Sequence, residues 1–215
     1  MIKRIIILMG LPGSGKGTQG AILSKDLFLP HISTGDIFRK MIQEDSKESK
    51  LLESYMNEGK LVPSDLVNQI VRKYILSDEC KNGCILDGYP RTLQQAEYFI
   101  EKIDADISTI FFNLDNEDAI KRILGRINCI SCGRIYNEYF DKPSKQGVCD
   151  ECGSNELLAR LDDDQDTIIA RLDEYRKETL PMIEYYKKKS KFYIVNAGQS
   201  KQKVVAEVAS IVKRI

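Results

Sequence analysis

The chain has 215 residues, 30% of them charged, with Lys+Arg and Asp+Glu at 32 each and a formal net charge of zero. That length can bury a good core as one main domain with insertions, and the balanced charge provides no global field for nucleic acid or a membrane surface, so any anion site must be local. No apolar run approaches the ~20 residues of a membrane-spanning helix, and the run behind Lys3 and Arg4 is too short for a secretory leader, so a soluble, cytoplasmic protein is expected.

Ile5-Ile6-Ile7-Leu8-Met9 is an apolar, β-branched run that predicts a short buried strand. It leads into Gly10-Leu11-Pro12-Gly13-Ser14-Gly15-Lys16-Gly17-Thr18, after which Gln19 to Lys25 predict a helix. Strand, glycine-rich turn and helix start together make an anion cradle. The glycines let backbone N–H groups point inward, and the helix N-terminus adds a positive dipole end. Lys16 can then reach the outer phosphates of a nucleotide. The spacing is G-x-x-x-x-G-K, but Gly17 stands where Ser or Thr is usual and Thr18 comes one place later, which leaves hydroxyl ligation of Mg²⁺ open.

Further along, Leu66, Val67, Ile70, Val71, Tyr74 and Ile75 mark one face of a helix. Cys84-Ile85-Leu86-Asp87 predicts a strand ending in an acid, Thr92 to Lys102 a helix capped by Thr92, and Ser108 to Leu114 a buried strand. Helices follow over Asn116 to Arg126 and over Asp166 to Tyr186, the second broken at Pro181. Phe192 to Val195 predicts a late strand, and Val204, Val205, Val208, Ile211 and Val212 the apolar face of a last helix. The alternation implies a parallel sheet flanked by helices on both faces. Ligands of such sheets sit beyond the carboxyl ends of the strands, so the loops after Met9, Leu86 and Leu114 should meet at one site. His31 to Val62 and Ile127 to Leu161 break the rhythm and read as insertions at the rim of the sheet.

The second insertion holds Cys129-Ile130-Ser131-Cys132-Gly133 and Cys149-Asp150-Glu151-Cys152-Gly153, two C-x-x-C-G knuckles with sixteen residues, 133–148, between the pairs. The glycine after each pair permits the tight turn that aims two sulfurs at one point. Four thiolates at Cys129, Cys132, Cys149 and Cys152 suit tetrahedral Zn²⁺ with no open position, hence a structural ion; iron is equally acceptable to four thiolates. Disulfides are the weaker reading, since nothing suggests secretion. Arg134 and Lys142 face Asp150, Glu151 and Glu156 in sequence, so the knuckles carry no basic stripe for nucleic acid. Cys80 and Cys84 read as plain buried or half-buried thiols, and the single histidine, His31, as structural or incidental.

Asp87-Gly88-Tyr89-Pro90-Arg91-Thr92 follows a buried strand. The acid can position water around Mg²⁺, Gly88 allows close approach of a ligand, and Arg91 can fork onto a phosphate. Arg39, Arg122, Arg126, Arg160 and Arg171 are the other candidate phosphate ligands, with Arg122 and Arg126 four apart on one predicted helix face.

With these segments in hand, together with Ser33-Thr34-Gly35-Asp36, Gly59-Lys60-Leu61-Val62 and Gln95, the chain resembles the long-form adenylate kinases with a zinc-bearing lid, within the nucleoside monophosphate kinases. The resemblance covers essentially the whole length. It implies a P-loop nucleoside triphosphate hydrolase-like core over residues 1–32, 63–125 and 163–215, an AMP-binding insertion over 33–62 and a zinc-binding lid over 126–162. Gly13, Ser14, Gly15, Lys16, Gly17 and Thr18 would hold the ATP phosphates, with Arg126, Ile135 and Tyr136 meeting ATP from the lid and Gln199 offering backbone to its adenine. Thr34, Arg39, Lys60, Leu61, Val62, Gly88, Tyr89, Pro90, Arg91 and Gln95 would hold AMP, with Gln95 reading the adenine edge. Arg122, Arg160 and Arg171 would converge between the nucleotides, and Asp162 and Asp163 would close the lid over Lys and Arg partners. The implied reaction is transfer of the γ-phosphoryl group of MgATP to AMP giving two ADP, by a monomer.

Two rivals stand beside this reading. One is a kinase of another nucleoside monophosphate, against which Gln95 and Lys60-Leu61-Val62 argue. The other is a non-catalytic nucleotide switch or zinc-ribbon adaptor, for which both a guanine-reading N-K-x-D and a basic patch are missing.

Overall fold

The computed structural model describes residues 3–44 and 46–215. Met1, Ile2 and Asp45, which the sequence assigns to the core and the first insertion, lie outside the described residues. In chain order the elements are β1 (Lys3–Gly10), α1 (Lys16–Leu27), β2 (His31–Ser33), α2 (Thr34–Ile42), α3 (Lys47–Asn57), α4 (Ser64–Ile75), β3 (Gly83–Asp87), α5 (Leu93–Lys102), β4 (Ala105–Asn113) and α6 (Asn116–Leu124). They continue with β5 (Arg126–Cys129), β6 (Ile135–Asn137), β7 (Leu157–Leu158), α7 (Gln165–Glu174), α8 (Met182–Lys189), β8 (Lys191–Asn196) and α9 (Lys201–Val212).

Five strands form one sheet in the order β2-β3-β1-β4-β8, and every pairing in it is parallel. β1 lies at its centre, with Ile6 opposite Ile85 of β3 and Ser108 of β4. Because side chains alternate along a strand, Ile5, Ile7 and Met9 enter one core with α4, α5 and α8, while Ile6 and Leu8 enter the other with α1, α6, α7 and α9. Burial on both faces is why this strand is an unbroken apolar run. The connection order reverses on either side of β1, which places a ligand crevice beyond Gly10.

The predicted parallel sheet flanked by helices is present, and Thr92 caps α5 by accepting from the Gln95 N–H at 3.2 Å. One boundary differs with consequence. The helix predicted through Arg126 stops at Leu124, because the chain reverses at Gly125. A Cβ there would come within 2.5 Å of the Tyr139 ring, so a larger residue at the turn would displace that side chain. Arg126 therefore opens β5 and does not share a helix face with Arg122. The segment after α7 winds as a π-turn over Tyr175–Thr179, and Pro181 starts α8, so the break falls where the proline predicts it.

At the rim, the first irregular segment holds the helices α2 and α3, and Ser46 and Ser49 cap α3 reciprocally. The second irregular segment is a small antiparallel sheet, β6-β5-β7, whose buried members are only Cys129, Tyr136 and Cys149.

Candidate active site and metal centre

The loop between β1 and α1 is built for an anion. Gly13 and Gly15 take positive φ of 82° and 91°, a conformation that favours glycine, and turn the chain into α1. Gly15 is the N-cap without a side-chain cap, and the first turn carries no acid. The free N–H groups of that turn and the dipole end therefore face the cleft. Lys16 Nζ donates to the carbonyls of Gly10 and Leu11, each at 2.8 Å, curling over the loop. Burial pulls its ammonium down from the ordinary lysine value to about 8, while Asp87 opposes that shift. A Cβ on Gly17 would meet Asp87 Oδ2 and Ile135 Cδ1 at 3.4 Å each, an ordinary contact, so space alone does not account for glycine there.

Around this loop lies one cleft of about 910 Å³. It is lined by Gly10 and by Pro12 to Thr18 of the phosphate loop, by Thr34, Arg39, Lys60, Leu61 and Val62 of the first rim segment, and by Gly88, Pro90, Arg91 and Gln95 after β3. Arg122, Arg126, Ile135, Tyr136, Arg160, Arg171 and Gln199 complete it. The loop after Leu114 contributes indirectly, through Asp118 and Arg122 of the helix it launches. Nine lining cations (Lys16, Arg39, Lys60, Arg91, Arg122, Arg126, Arg160, Arg171 and Lys201) face six lining carboxylates (Asp36, Asp87, Asp118, Asp141, Asp162 and Glu174), an excess of three positive charges in a chain with none overall.

Charge pairs organise the cluster. Arg126 grips Asp163 with two parallel bonds, Nε to Oδ2 at 2.7 Å and Nη2 to Oδ1. Arg171 Nη1 lies 3.2 Å from Asp163 and 3.3 Å from Asp162. Arg39 reaches Asp162 at 3.7 Å, and Arg160 reaches Asp36 at 3.9 Å, so the two rim segments meet across the cleft. Burial and neighbouring guanidiniums pull Arg91, Arg160 and Arg171 below the usual arginine range. Burial works against the Asp162 carboxylate, but Arg171 and Arg39 hold it below the ordinary value. The expected partners of Asp162 and Asp163 include lysines; the ion pairs of both are with arginines, among the described residues.

Several expected ligands stand differently from the sequence reading. Tyr89 does not line the cleft: its ring is buried edge-on to Phe99, and its hydroxyl donates to Asn68 Oδ1 at 2.7 Å. Gln95 does line it, but its Oε1 already accepts from the Arg91 N–H at 2.8 Å. Arg122 donates to the Ala197 carbonyl at 2.8 Å, tying α6 to the loop after β8. His31 is not incidental. Its Nε2 is buried 3.7 Å from Asp87 Oδ2 at the end of β3, and a Cβ on Gly20 would collide with its ring. Burial pushes the Asp87 carboxyl up, but His31 and Lys16 hold it below its ordinary value, so it stays ionised. Asp36, Asp118, Asp141 and Lys201 also line the cleft without having been singled out as cleft residues; Asp118 and Lys201 were signalled by helices that start just beyond β4 and β8, and Asp36 by the Ser33-Thr34-Gly35-Asp36 segment, whereas Asp141 had no such signal.

In the small antiparallel sheet the ligand atoms of Cys129, Cys132, Cys149 and Cys152 lie within 4.8 Å of one another. Two of the sulfur pairs, Cys129–Cys152 and Cys132–Cys149, are 3.6 Å apart. Sulfurs at Zn–S distances of about 2.3 Å in a tetrahedron would be about 3.8 Å apart, so the spacing fits. Gly133 and Gly153, at φ 76° and 75°, make matching turns in which their N–H groups donate to the Cys129 and Cys149 carbonyls at 2.9 Å each. Cys132 and Gly133 also line the nucleotide-sized cleft. No helix of the described residues is long and apolar enough to cross a membrane.

A family model described as adenylate kinase matches residues 8–191. Among curated relatives, the adenylate kinase of Rickettsia africae (strain ESF-5) is 46% identical over 209 residues, covering 97% of this chain and 99% of that protein. Those of Rickettsia typhi (strain ATCC VR-144 / Wilmington), at 45% over 210 residues, and Rickettsia bellii (strain RML369-C), at 42% over 209 residues, cover the same shares of each chain.

Proposed function

The chain belongs to the adenylate kinase family, and on that premise we propose that its cleft holds MgATP and AMP phosphate to phosphate while the γ-phosphoryl group crosses. It is a nucleoside monophosphate kinase, a phosphotransferase whose reversible reaction gives two ADP. The observation that carries the assignment of the site is the excess of three positive charges around one cleft in an otherwise neutral chain.

The backbone of Gly13 to Thr18 and Lys16 hold the ATP phosphates. Mg²⁺ bound with ATP supplies neutralisation of the charge on its outer phosphates, and the ionised Asp87 at the floor of the loop suits water held around that ion. The ATP side is closed by Arg126, Ile135, Tyr136 and the backbone at Gln199. Thr34, Arg39, Lys60, Leu61, Val62, Gly88, Pro90, Arg91 and Gln95 form the AMP side. Tyr89 supports that side from below through Asn68. Arg122, Arg160 and Arg171 stand between the two.

No side-chain base is needed. The attacking phosphate of AMP has a second pKa of ~6 and is ionised near neutral pH. What remains is alignment in line and stabilisation of charge spread over the moving group, which preorganised cations supply. Water competes as acceptor, so transfer requires closure. Residues 33–62 and 126–162 are the two flaps in this reading, and the four thiolates hold a structural Zn²⁺ that stiffens the second. A cytoplasmic monomer with no nucleic-acid or membrane partner fits the reduced thiols and the balanced charge.

The deciding measurement is turnover with MgATP and each of AMP, UMP, CMP and GMP. AMP should be the best acceptor by at least tenfold, giving two ADP per ATP consumed. Faster turnover of UMP would remove the substrate assignment and leave the fold.

A further inference from the structure

Tyr136 is 1% exposed, yet its hydroxyl makes two polar contacts. The backbone N–H of Asp150 donates to the phenolic oxygen at 2.7 Å. With that N–H directed at the oxygen, the single phenolic hydrogen is free to point elsewhere. Its acceptor is Cys149 Sγ at 3.4 Å, an ordinary length for a hydrogen bond to sulfur. The ring is held from the other side by Arg134, whose guanidinium carbon stands 5.1 Å from the ring centroid.

We infer that Tyr136 is a positioning residue of the four-thiolate centre, donating its phenolic proton to the Cys149 thiolate and so tying the second knuckle to strand β6. The inference rests on the reading that the centre holds a metal ion. A thiolate bound to a metal keeps lone pairs that accept hydrogen bonds. A donor aimed at one of them fixes the orientation of the ligand and withdraws charge from sulfur. β6 carries Ile135 and Tyr136 into the wall of the nucleotide cleft, so one hydrogen bond joins the metal centre to that wall.

Tyr136→Phe keeps the ring and removes the donor. Loss of the zinc to a chromogenic chelator should be at least tenfold faster than in the wild type, within the range of about 10–100 for outer partners of metal ligands. With Co²⁺ in the site, the thiolate-to-metal charge-transfer band should move to longer wavelength, because sulfur without its donor holds its electrons less tightly. Tyr139→Phe, an exposed phenol away from the sulfurs, should change neither. Both changes together support the inference. Faster loss with an unmoved band means a loosened fold and overturns it, as does an unmoved rate. If the variant does not fold, the wild type decides. Loaded with the spin-active cadmium isotope, it should show a scalar coupling between the metal and the Tyr136 hydroxyl proton, and absence of that coupling overturns the inference. A wild type that holds no ion sinks the metal reading and this inference together, whereas a loaded wild type with an unaltered variant sinks this inference alone.

Discussion

Lys16 concentrates the conflict of the site in one side chain. Burial pulls its ammonium down to about 8, and only the Asp87 charge resists. The protonated form binds polyphosphate, so binding is complete well below that value and lost as pH rises through it. kcat/KM for ATP, which reports the free enzyme, should therefore fall about tenfold per pH unit above about pH 8. A profile flat to about pH 10, near the ordinary lysine value, would show that the ammonium is not perturbed. The position of Lys16 was legible from glycine spacing alone, because backbone geometry dictates the loop. Tyr89 was not, although it lies within two residues of Asp87: which way a side chain turns after a strand end depends on the core beneath it, here Phe99 and Asn68. His31 was left between structural and incidental for a related reason, since its neighbours, Gly20 and Asp87, come from two other elements.

Among the elements, β1, β3, β4 and β8 were legible as apolar runs, whereas the edge strand β2, only three residues long, was read as the start of the first insertion. The β6-β5-β7 sheet was not legible, since its strands run for three, four and two residues, too short to display alternation. What the chain did display there was its ligand spacing, and the physics of the segment explains why. A buried cluster of Cys129, Tyr136 and Cys149, with Ile127 and Leu157 against it, cannot order 126–162 by itself. A structural zinc contributes on the order of 10 kcal/mol in small domains. Stripping the ion with a strong chelator should therefore melt this segment first. Tryptic cleavage at the exposed Lys145 should accelerate at least tenfold while the five-stranded core stays whole. Cleavage at an unchanged rate would mean that the segment holds its shape without metal.

At the scale of the molecule, the sheet brings the carboxyl edges of all its strands to one crevice, and charge decides how the rim closes over it. Arg126 and Asp163 sit at the two points where the chain enters and leaves the segment 126–162, so their paired bonds clasp its neck, with Arg171 of α7 as a third member. The reading that Asp163 closes over its partners was right about charge, but the geometry puts it at the base of the segment. Both ends were legible as residues, yet their pairing spans 37 positions and follows only from the folded path. The exposed pair of Lys25 and Glu151, at 2.6 Å, also joins this segment to the core, and the two pairs make opposite predictions. Removing one partner of a buried pair leaves charge without compensation and costs about 3 kcal/mol, whereas an exposed pair is screened by solvent and contributes little. Asp163→Asn should therefore lower the urea midpoint clearly and cut turnover by tenfold or more, with little change when salt is raised. Lys25→Met should leave both within a factor of two. Equal effects in the two variants would mean that closure is governed by general attraction between the segment and the core, and that the buried clasp has no special part in it.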